Sequence, residues 1–202
     1  MILTTNRREP NQVVLFSGHM IDAADRKQPR FPPGAEAAAA TAIAAAVHEL
    51  RIGPDDLGIT EGACGGDLLF AEAVLANGAS LELHLPFEEP VFIEKSVAYA
   101  KKMPPADKWL ERFHEVTGHD RVMVKEMPDE GAGIARAEDP YEQCNLWMLR
   151  DTLAFGAARA KIICLWNGSG GDGPGGTAHM MQRIQEAGGE TIWLDTRKLW
   201  NV

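Results

Sequence analysis

Short apolar runs alternate with longer segments of helical periodicity along the whole chain. The first run, Val13–Phe16, is apolar and β-prone and is followed by Ser17 and Gly18, which predicts a buried strand that opens into a loop. The same patterns predict strands at 57–60, 80–85, 121–124, 161–166 and 190–194, and helices at 36–50, 68–78, 91–101, 107–117, 141–158 and 177–187.

The alternation of strands with helices predicts the fold class. Consecutive parallel strands need crossover helices, so this order favours a mostly parallel sheet with helices on both faces. The expected fold is α/β, a Rossmann-like three-layer α/β/α arrangement. We expect a single domain over residues 1–202, because this length suits one core, with a helical insertion at about 88–139 that is longer than an ordinary connection.

Candidate binding residues follow the carboxyl ends of the predicted strands, where open α/β sheets bind ligands. Glycine lets the backbone approach a phosphate closely, and Asp67 and Thr177 follow glycine-rich turns at helix starts, where they can cap the helix or bond a ligand. The predicted ligand-binding residues are Ser17, Gly18, His19, Gly62, Ala63, Gly65, Gly66, Asp67, Pro86, Gly175, Gly176 and Thr177.

Each of these turns also has a structural alternative. GACGGD does not have the GxGxxG spacing and is equally typical of a tight turn with close helix–sheet packing. GSGGDGPGGT lacks the GK[ST] of a Walker A loop and is also compatible with a flexible surface loop. His19 is equally typical of a loop histidine with satisfied hydrogen bonds. The placement of both glycine-rich turns after strands favours a ligand pocket.

Composition narrows the expected partners and location. The formal net charge is -9 and the pI is about 5.1, which argues against a surface that tracks long nucleic acid. No apolar stretch approaches a membrane span, and three cysteines without a CxxC pair suit a reducing, cytoplasmic environment. No histidine pair has the i, i+4 spacing of a helical metal site, so no metal and no separate cofactor are expected.

The motif string resembles the SLOG superfamily of Rossmann-like domains. FSGH follows the first strand, EGACGGDLLFAEA the second and LPF the third, and GPGGTAHM lies near the end. The superfamily includes DprA-like proteins, lonely-guy phosphoribohydrolases and sensors of nucleotide-derived signals; the string also looks like domains attached to tetratricopeptide-repeat proteins and nucleotide cyclases. The resemblance covers roughly residues 13–195. It implies a pocket for a nucleotide, a nucleotide sugar or a cyclic or oligonucleotide messenger.

One departure from the superfamily pattern bears on catalysis. Lonely-guy enzymes carry a PGGxGTxxE signature with a catalytic acid, whereas the segment after Thr177 in this chain supplies no carboxylate. Glu61 and Glu72 are the candidates to replace that acid, although carboxylates are more often surface groups, and Glu61 would then pair with a loop arginine and Glu72 would be solvated on the outer face of its helix. Arg26, Arg30, Asn145 and Trp147 are further candidates for contacts with a phosphate or a base.

The expected function is binding or sensing of a nucleotide or nucleotide-derived small ligand. Two alternatives stay open. One is an N-glycosidic bond hydrolase of the phosphoribohydrolase or deoxyribosyltransferase type that uses Glu61 or Glu72; the other is a non-catalytic scaffold that contacts partners through residues 88–139. A homodimer is also left open.

Overall fold

The computed structural model describes residues 9–23, 26–98, 106–128, 139–170 and 175–200. These residues form a six-stranded sheet in the order β4-β3-β2-β1-β5-β6, and every pair of neighbouring strands is parallel. The strands are β1 (Val13–Gly18), β2 (Leu57–Thr60), β3 (Ser80–Leu85), β4 (Val122–Glu126), β5 (Ala160–Trp166) and β6 (Glu190–Asp195). The predicted Rossmann-like α/β fold is confirmed.

The strand order creates a reversal point beside β1. The chain builds outward from β1 through β2 and β3 to β4, and then returns to the other side of β1 to form β5 and β6. Connections on the two sides of such a point diverge and leave a crevice at the carboxyl ends of the two central strands. The order of the strands therefore indicates a candidate binding site beside the carboxyl end of β1.

Helices cover both faces of the sheet. The helices are α1 (Glu36–Glu49), α2 (Gly66–Ala76), α3 (Glu89–Phe92), α4 (Ala106–Thr117), α5 (Pro140–Ala154), α6 (Thr177–Glu186) and α7 (Thr196–Leu199). Successive residues of β1 face opposite sides, so Val14 and Phe16 lie in the core under α1, α2 and α4, whereas Val13 and Leu15 lie in the core under α5 and α6.

Two predicted helices differ from those observed. The helix expected at 91–101 is α3 followed by one π-helical turn at Ile93–Val97, and its last residues lie outside the described part of the chain. The helix expected at 141–158 ends at Ala154, because Gly156 adopts a φ of 99° that cannot continue a right-handed helix. A short 3-10 turn at Ala157–Arg159 follows.

The described part of the predicted insertion joins the sheet and one helical layer. Val122–Glu126 pairs with β3 and forms one edge of the sheet, and Trp109 and Phe113 of α4 pack into the core beside α2. Residues 99–105 and most of the loop predicted at 128–139 lie outside the described residues. Among the described helices, none combines the length and the apolar composition needed to cross a lipid bilayer.

Candidate functional site

A cavity of about 190 Å³ lies at the carboxyl ends of β1 and β2, beside the reversal point of the sheet. Residues from three separate predicted motifs meet there, together with one face of α5. Its lining residues are Phe16, Ser17, Gly18, Met20, Glu61, Ala63, Asp67, Tyr141, Asn145, Met148 and Thr177. The fold thus brings together Ser17, Gly18, Ala63, Asp67 and Thr177 of the predicted ligand-binding residues and Glu61 of the predicted catalytic candidates.

Two buried carboxyl groups form the acidic wall of the cavity. Burial raises the pKa of Asp67 to about 7, although the side chain accepts a hydrogen bond from the Ala63 amide at 3.2 Å. Burial and the nearby Asp67 charge raise the pKa of Glu61 well above its ordinary value. Within the described residues, Glu61 Oε1 has no hydrogen-bond partner. The raised pKa values favour the protonated forms of these groups, so this wall offers carboxyl O–H donors and a polar surface with spare bonding capacity.

The raised pKa of Asp67 predicts that stability falls as the pH rises. The ordinary carboxyl pKa is 3.8, and the folded value is about 7, so between roughly pH 4 and 7 the folded state holds a proton that the unfolded state has lost. From pH 5 to 7 the loss of this proton lowers the free energy of unfolding by about 2 kcal/mol. In Asp67→Asn, the free energy of unfolding measured by urea denaturation is expected to fall less between pH 5 and pH 7 than it does in the wild type.

Asp120→Asn is the control for this pH measurement, because the Asp120 side chain lies at the surface, 90% exposed. It is expected to keep the wild-type dependence on pH. An unchanged slope in Asp67→Asn would show that Asp67 does not hold the proton.

The first glycine-rich turn packs against the loop after β1. The Gly66 amide donates to the His19 carbonyl oxygen at 3.2 Å, and the Ile21 amide donates to the Cys64 carbonyl oxygen at 3.1 Å. A Cβ at Gly65 would lie 2.5 Å from the Ile21 nitrogen. This contact between two backbone segments accounts for Gly65 and Gly66, and neither lines the cavity.

Gly62 lies beside the cavity without lining it. Its φ is 90°, and a Cβ there would lie 3.3 Å from the Leu83 side chain. Close packing in a tight turn therefore explains Gly62, as it explains Gly65 and Gly66. A contact of these three residues with a ligand stays a prediction.

The second glycine-rich turn leads into the N-terminus of α6 at the cavity. Thr177 Oγ1 and Ser17 Oγ are 3.1 Å apart and joined by a hydrogen bond. Gly176, the N-cap of α6, makes no side-chain cap bond, so among the described residues no side chain caps the first-turn amides of this helix. Residues 171–174 of this turn lie outside the described residues.

Gly175 is fixed by the approach of α5. Its φ is 81°, and a Cβ would lie 2.4 Å from the Glu142 carbonyl oxygen. The Gly175 amide donates to His179 Nδ1 at 3.1 Å. Gly175 therefore holds the start of α6 against the start of α5, and Thr177 is placed at the cavity as a result.

His19 serves the neighbouring loop. Its Nε2 accepts a hydrogen bond from the Asn167 amide at 3.2 Å, so the proton of the neutral ring lies on Nδ1. Burial, followed by the positive charge of Arg30, lowers the pKa of His19 to about 4. The ring is neutral at physiological pH and joins the loops after β1 and β5 without lining the cavity.

Glu72 lies away from the cavity, so its position does not support a role as a catalytic acid there. Both of its carboxylate oxygens accept from Arg112, each at 2.5 Å, on the α4 side of α2. The acid is part of an interhelical ion pair because the α2 face that carries it turns toward α4. Pro86 is also absent from the lining; it is buried directly after β3.

The remaining candidates fall in different environments. Trp147 is a core residue whose ring packs on that of His84, with centroids 4.2 Å apart. Arg26 forms an ion pair with Asp22 at 3.1 Å. Asn145 does line the cavity.

The α5 wall is the part of the site that sequence reasoning largely missed. Tyr141, Asn145 and Met148 are spaced i, i+4, i+7, which places them on one face of the helix. The Tyr141 hydroxyl is held by a hydrogen bond of 2.9 Å with Ser96 Oγ, from the π-helical turn. The sequence spacing alone predicts that these three residues share one face of the helix. Only the fold shows that this face is directed at β1. In the described residues no cluster of side chains is suited to a metal ion.

Comparisons with known proteins give fold-level matches. No family model matches the chain, and no curated protein matches it. DNA processing protein A (DprA) from Streptococcus pneumoniae matches with a TM-score of 0.44 and 14% identity over 91% of this chain and 50% of that one. DNA processing protein A from Helicobacter pylori, solved to describe its single-stranded DNA binding mode, matches with a TM-score of 0.45 and 12% identity over 88% and 63%.

These matches correct one expectation about partners. The chain spans 50% of the length of the Streptococcus pneumoniae chain and 63% of the length of the Helicobacter pylori chain. Because the Helicobacter pylori protein binds single-stranded DNA, the sequence-based exclusion of a long nucleic acid partner is wrong. Net charge is an average over the whole surface, whereas single strands are held by local grooves and stacking side chains. At this identity the likeness concerns the fold alone, and the chain has a Rossmann-like α/β fold with an all-parallel sheet.

Proposed function

We propose that this protein binds a nucleotide-type ligand in the cavity at the carboxyl ends of β1 and β2. The observation that carries the proposal is the convergence of Ser17, Asp67, Asn145 and Thr177, from four separate segments, on one cavity at the reversal point of the sheet. Ligands of open α/β sheets bind in this place.

The cavity has two chemically different sides. On one side the N-terminus of α6 presents backbone amides and the hydroxyls of Ser17 and Thr177, a combination that suits a phosphate. On the other side the Glu61 and Asp67 carboxyl groups, whose raised pKa values favour the neutral form, suit the hydroxyl and N–H groups of a sugar or a base. We therefore place the phosphate at α6 and the sugar or base edge against the carboxyl wall.

The cavity size supports partial enclosure of the ligand. Its volume of about 190 Å³ is below the range of roughly 300–1,000 Å³ for sites that enclose a drug-sized ligand. We therefore assign one nucleoside portion to the cavity and the rest of the ligand to the carboxyl edge of the sheet. Single-stranded DNA, the ligand of the Helicobacter pylori protein, has the same chemical groups and belongs among the test ligands.

Calorimetric titration with adenosine 5′-monophosphate, ribose 5-phosphate and a short single-stranded oligonucleotide tests the proposal. Binding of the monophosphate, with inorganic phosphate as the control for simple anion binding, is the expected result. Absence of binding by all of these probes at millimolar concentration would favour the scaffold alternative. Thermal unfolding gives a second readout, because a ligand that binds the native state must stabilise it.

Hydrolysis of an N-glycosidic bond is the second candidate, and one observation favours it. The Glu61 carboxyl is buried, and its Oε1 has no hydrogen-bond partner among the described residues. Its pKa lies well above the ordinary value, which favours the protonated form. A protonated acid inside a ligand cavity is suited to protonate a leaving base. We infer that, of the two carboxylates considered, only Glu61 is placed for this role.

Glu61→Gln tests that role. If the protein releases base from nucleoside monophosphates, this variant is expected to lose activity by at least about 100-fold while ligand affinity changes little. Glu72→Gln is the matched control, because Glu72 lies outside the cavity, and it is expected to keep wild-type turnover. No release by the wild type would leave binding without catalysis as the function. Equal loss in both variants would contradict the specific role of Glu61.

A further inference from the structure

An aromatic surface lies beyond the cavity, on the outer side of the β5–α6 loop. It consists of Trp166 at the end of β5, Trp193 of β6 and Arg197 of α7; we call it the tryptophan surface. The two indole rings have centroids 5.8 Å apart, and the Arg197 guanidinium lies 5.7 Å from the Trp193 centroid.

Hydrogen bonds hold the tryptophan surface in one arrangement. Trp193 Nε1 donates to the Trp166 carbonyl oxygen at 2.9 Å, and Trp166 Nε1 donates to the Ser169 carbonyl oxygen at 3.2 Å. Asp195 fixes Arg197 through two bonds of 2.9 and 2.8 Å. Since the N–H group of each indole already has an acceptor, the remaining interaction capacity of Trp193 lies in its ring surface.

Trp193 is exposed to an unusual degree for its type. It is 43% exposed, the largest fraction among the exposed large hydrophobic side chains of the described residues. A pinned indole beside a guanidinium is suited to stack a nucleobase, because every base has a π-face and such stacking loses little side-chain entropy. Trp193 differs from a single exposed apolar residue in two ways: hydrogen bonds restrain its ring, and an arginine lies beside it.

The strand order sets where this surface lies relative to the site. Along the carboxyl edge, the cavity lies over β2 and β1, the N-terminus of α6 contacts β1 through Thr177, and the tryptophan surface lies over β5 and β6. Two strand spacings, about 10 Å, separate β1 from β6. If a ligand has its nucleoside in the cavity and its phosphate at α6, a group attached to the far side of that phosphate would therefore lie near Trp193.

We propose that Trp193 is a stacking subsite for a second nucleobase, so that the preferred ligand has two nucleosides joined through a phosphate. This rests on the proposed function, which supplies the positions of the first nucleoside and the phosphate. The ligand class is a dinucleotide-type molecule, in place of a mononucleotide.

The test compares adenylyl-3′,5′-adenosine with adenosine 5′-monophosphate by calorimetry. Wild-type protein is expected to bind the dinucleotide about 10-fold more tightly than the monophosphate. Trp193→Leu is expected to lose this advantage and keep its affinity for the monophosphate, whereas Trp193→Phe retains part of it. Met123→Ala, which changes another exposed hydrophobic side chain on the opposite edge strand, is the matched control and is expected to keep the full advantage.

Three results would overturn the subsite. Equal affinity for the two ligands in the wild type, or an undiminished advantage in Trp193→Leu, would contradict the second base while leaving the proposed function intact. A wild-type dimer that dissociates in Trp193→Leu would identify the surface as an interface between copies. Failure of wild-type protein to bind the monophosphate and the dinucleotide would contradict the proposed function and the subsite together.

Discussion

Gly65→Ala is expected to lower the free energy of unfolding by about 4 kcal/mol. Gly65 has φ 108° and ψ -126°, a region that costs other residues on the order of 1–3 kcal/mol. The added Cβ would also lie 2.5 Å from the Ile21 nitrogen and 3.0 Å from the Met20 carbonyl carbon, which are backbone atoms that cannot rotate away. Overpacking of this kind adds about 1–3 kcal/mol.

Gly156→Ala measures the conformational cost by itself, so the difference between the two variants gives the contribution of packing. Gly156 has φ 99° and ψ 136°, and nothing lies within 4 Å of the Cβ position. Its replacement is expected to cost about 2 kcal/mol, from conformation alone. Urea denaturation of the two variants measures the difference. Equal losses would contradict the conclusion that Gly65 is required by the loop after β1.

Asn145→Trp is expected to lower the affinity for adenosine 5′-monophosphate by at least about 100-fold, which corresponds to about 2.7 kcal/mol. Asn145 lines the cavity from the middle of α5. Because the cavity holds only about 190 Å³, an indole in this position would occupy the space that we assign to the nucleoside. The measurement is calorimetric titration, with thermal unfolding to verify that the variant is folded.

Arg150→Trp is the control for the introduced bulk. Arg150 lies on the same helix, is exposed and is absent from the cavity lining. It is expected to bind the monophosphate as the wild type does. Undiminished binding by a folded Asn145→Trp would show that nucleotides bind elsewhere.

The sequence predicted the fold well because the fold depends on local signals. The apolar runs that become β1, β2 and β5 are buried on both faces, and this pattern needs no knowledge of tertiary contacts to identify. The ends of two helices were less predictable. The helix before β5 ends early because Gly156 takes a positive φ, and the segment after Phe92 widens into a π-helical turn.

The candidate site was only partly predictable, because residue type did not distinguish contact with a ligand from contact with the protein itself. The glycines of GACGGD predict close approach of a backbone, and the structure shows that the approaching backbone is the loop that carries His19 and Ile21. Glu61 and Glu72 were equal candidates in the sequence. One is buried in the cavity wall and the other pairs with Arg112, a partner 40 residues away.

The central claim is that a nucleotide-type ligand occupies the cavity at the carboxyl ends of β1 and β2. The most direct test is a titration of the ¹⁵N-labelled 22.0 kDa chain with adenosine 5′-monophosphate, followed by amide chemical shifts. We predict that the largest shifts occur at Ser17, Ala63, Asn145 and Thr177. Shifts confined to the opposite edge of the sheet, around Leu57 and Ser80, or no shifts at millimolar ligand, would contradict the claim.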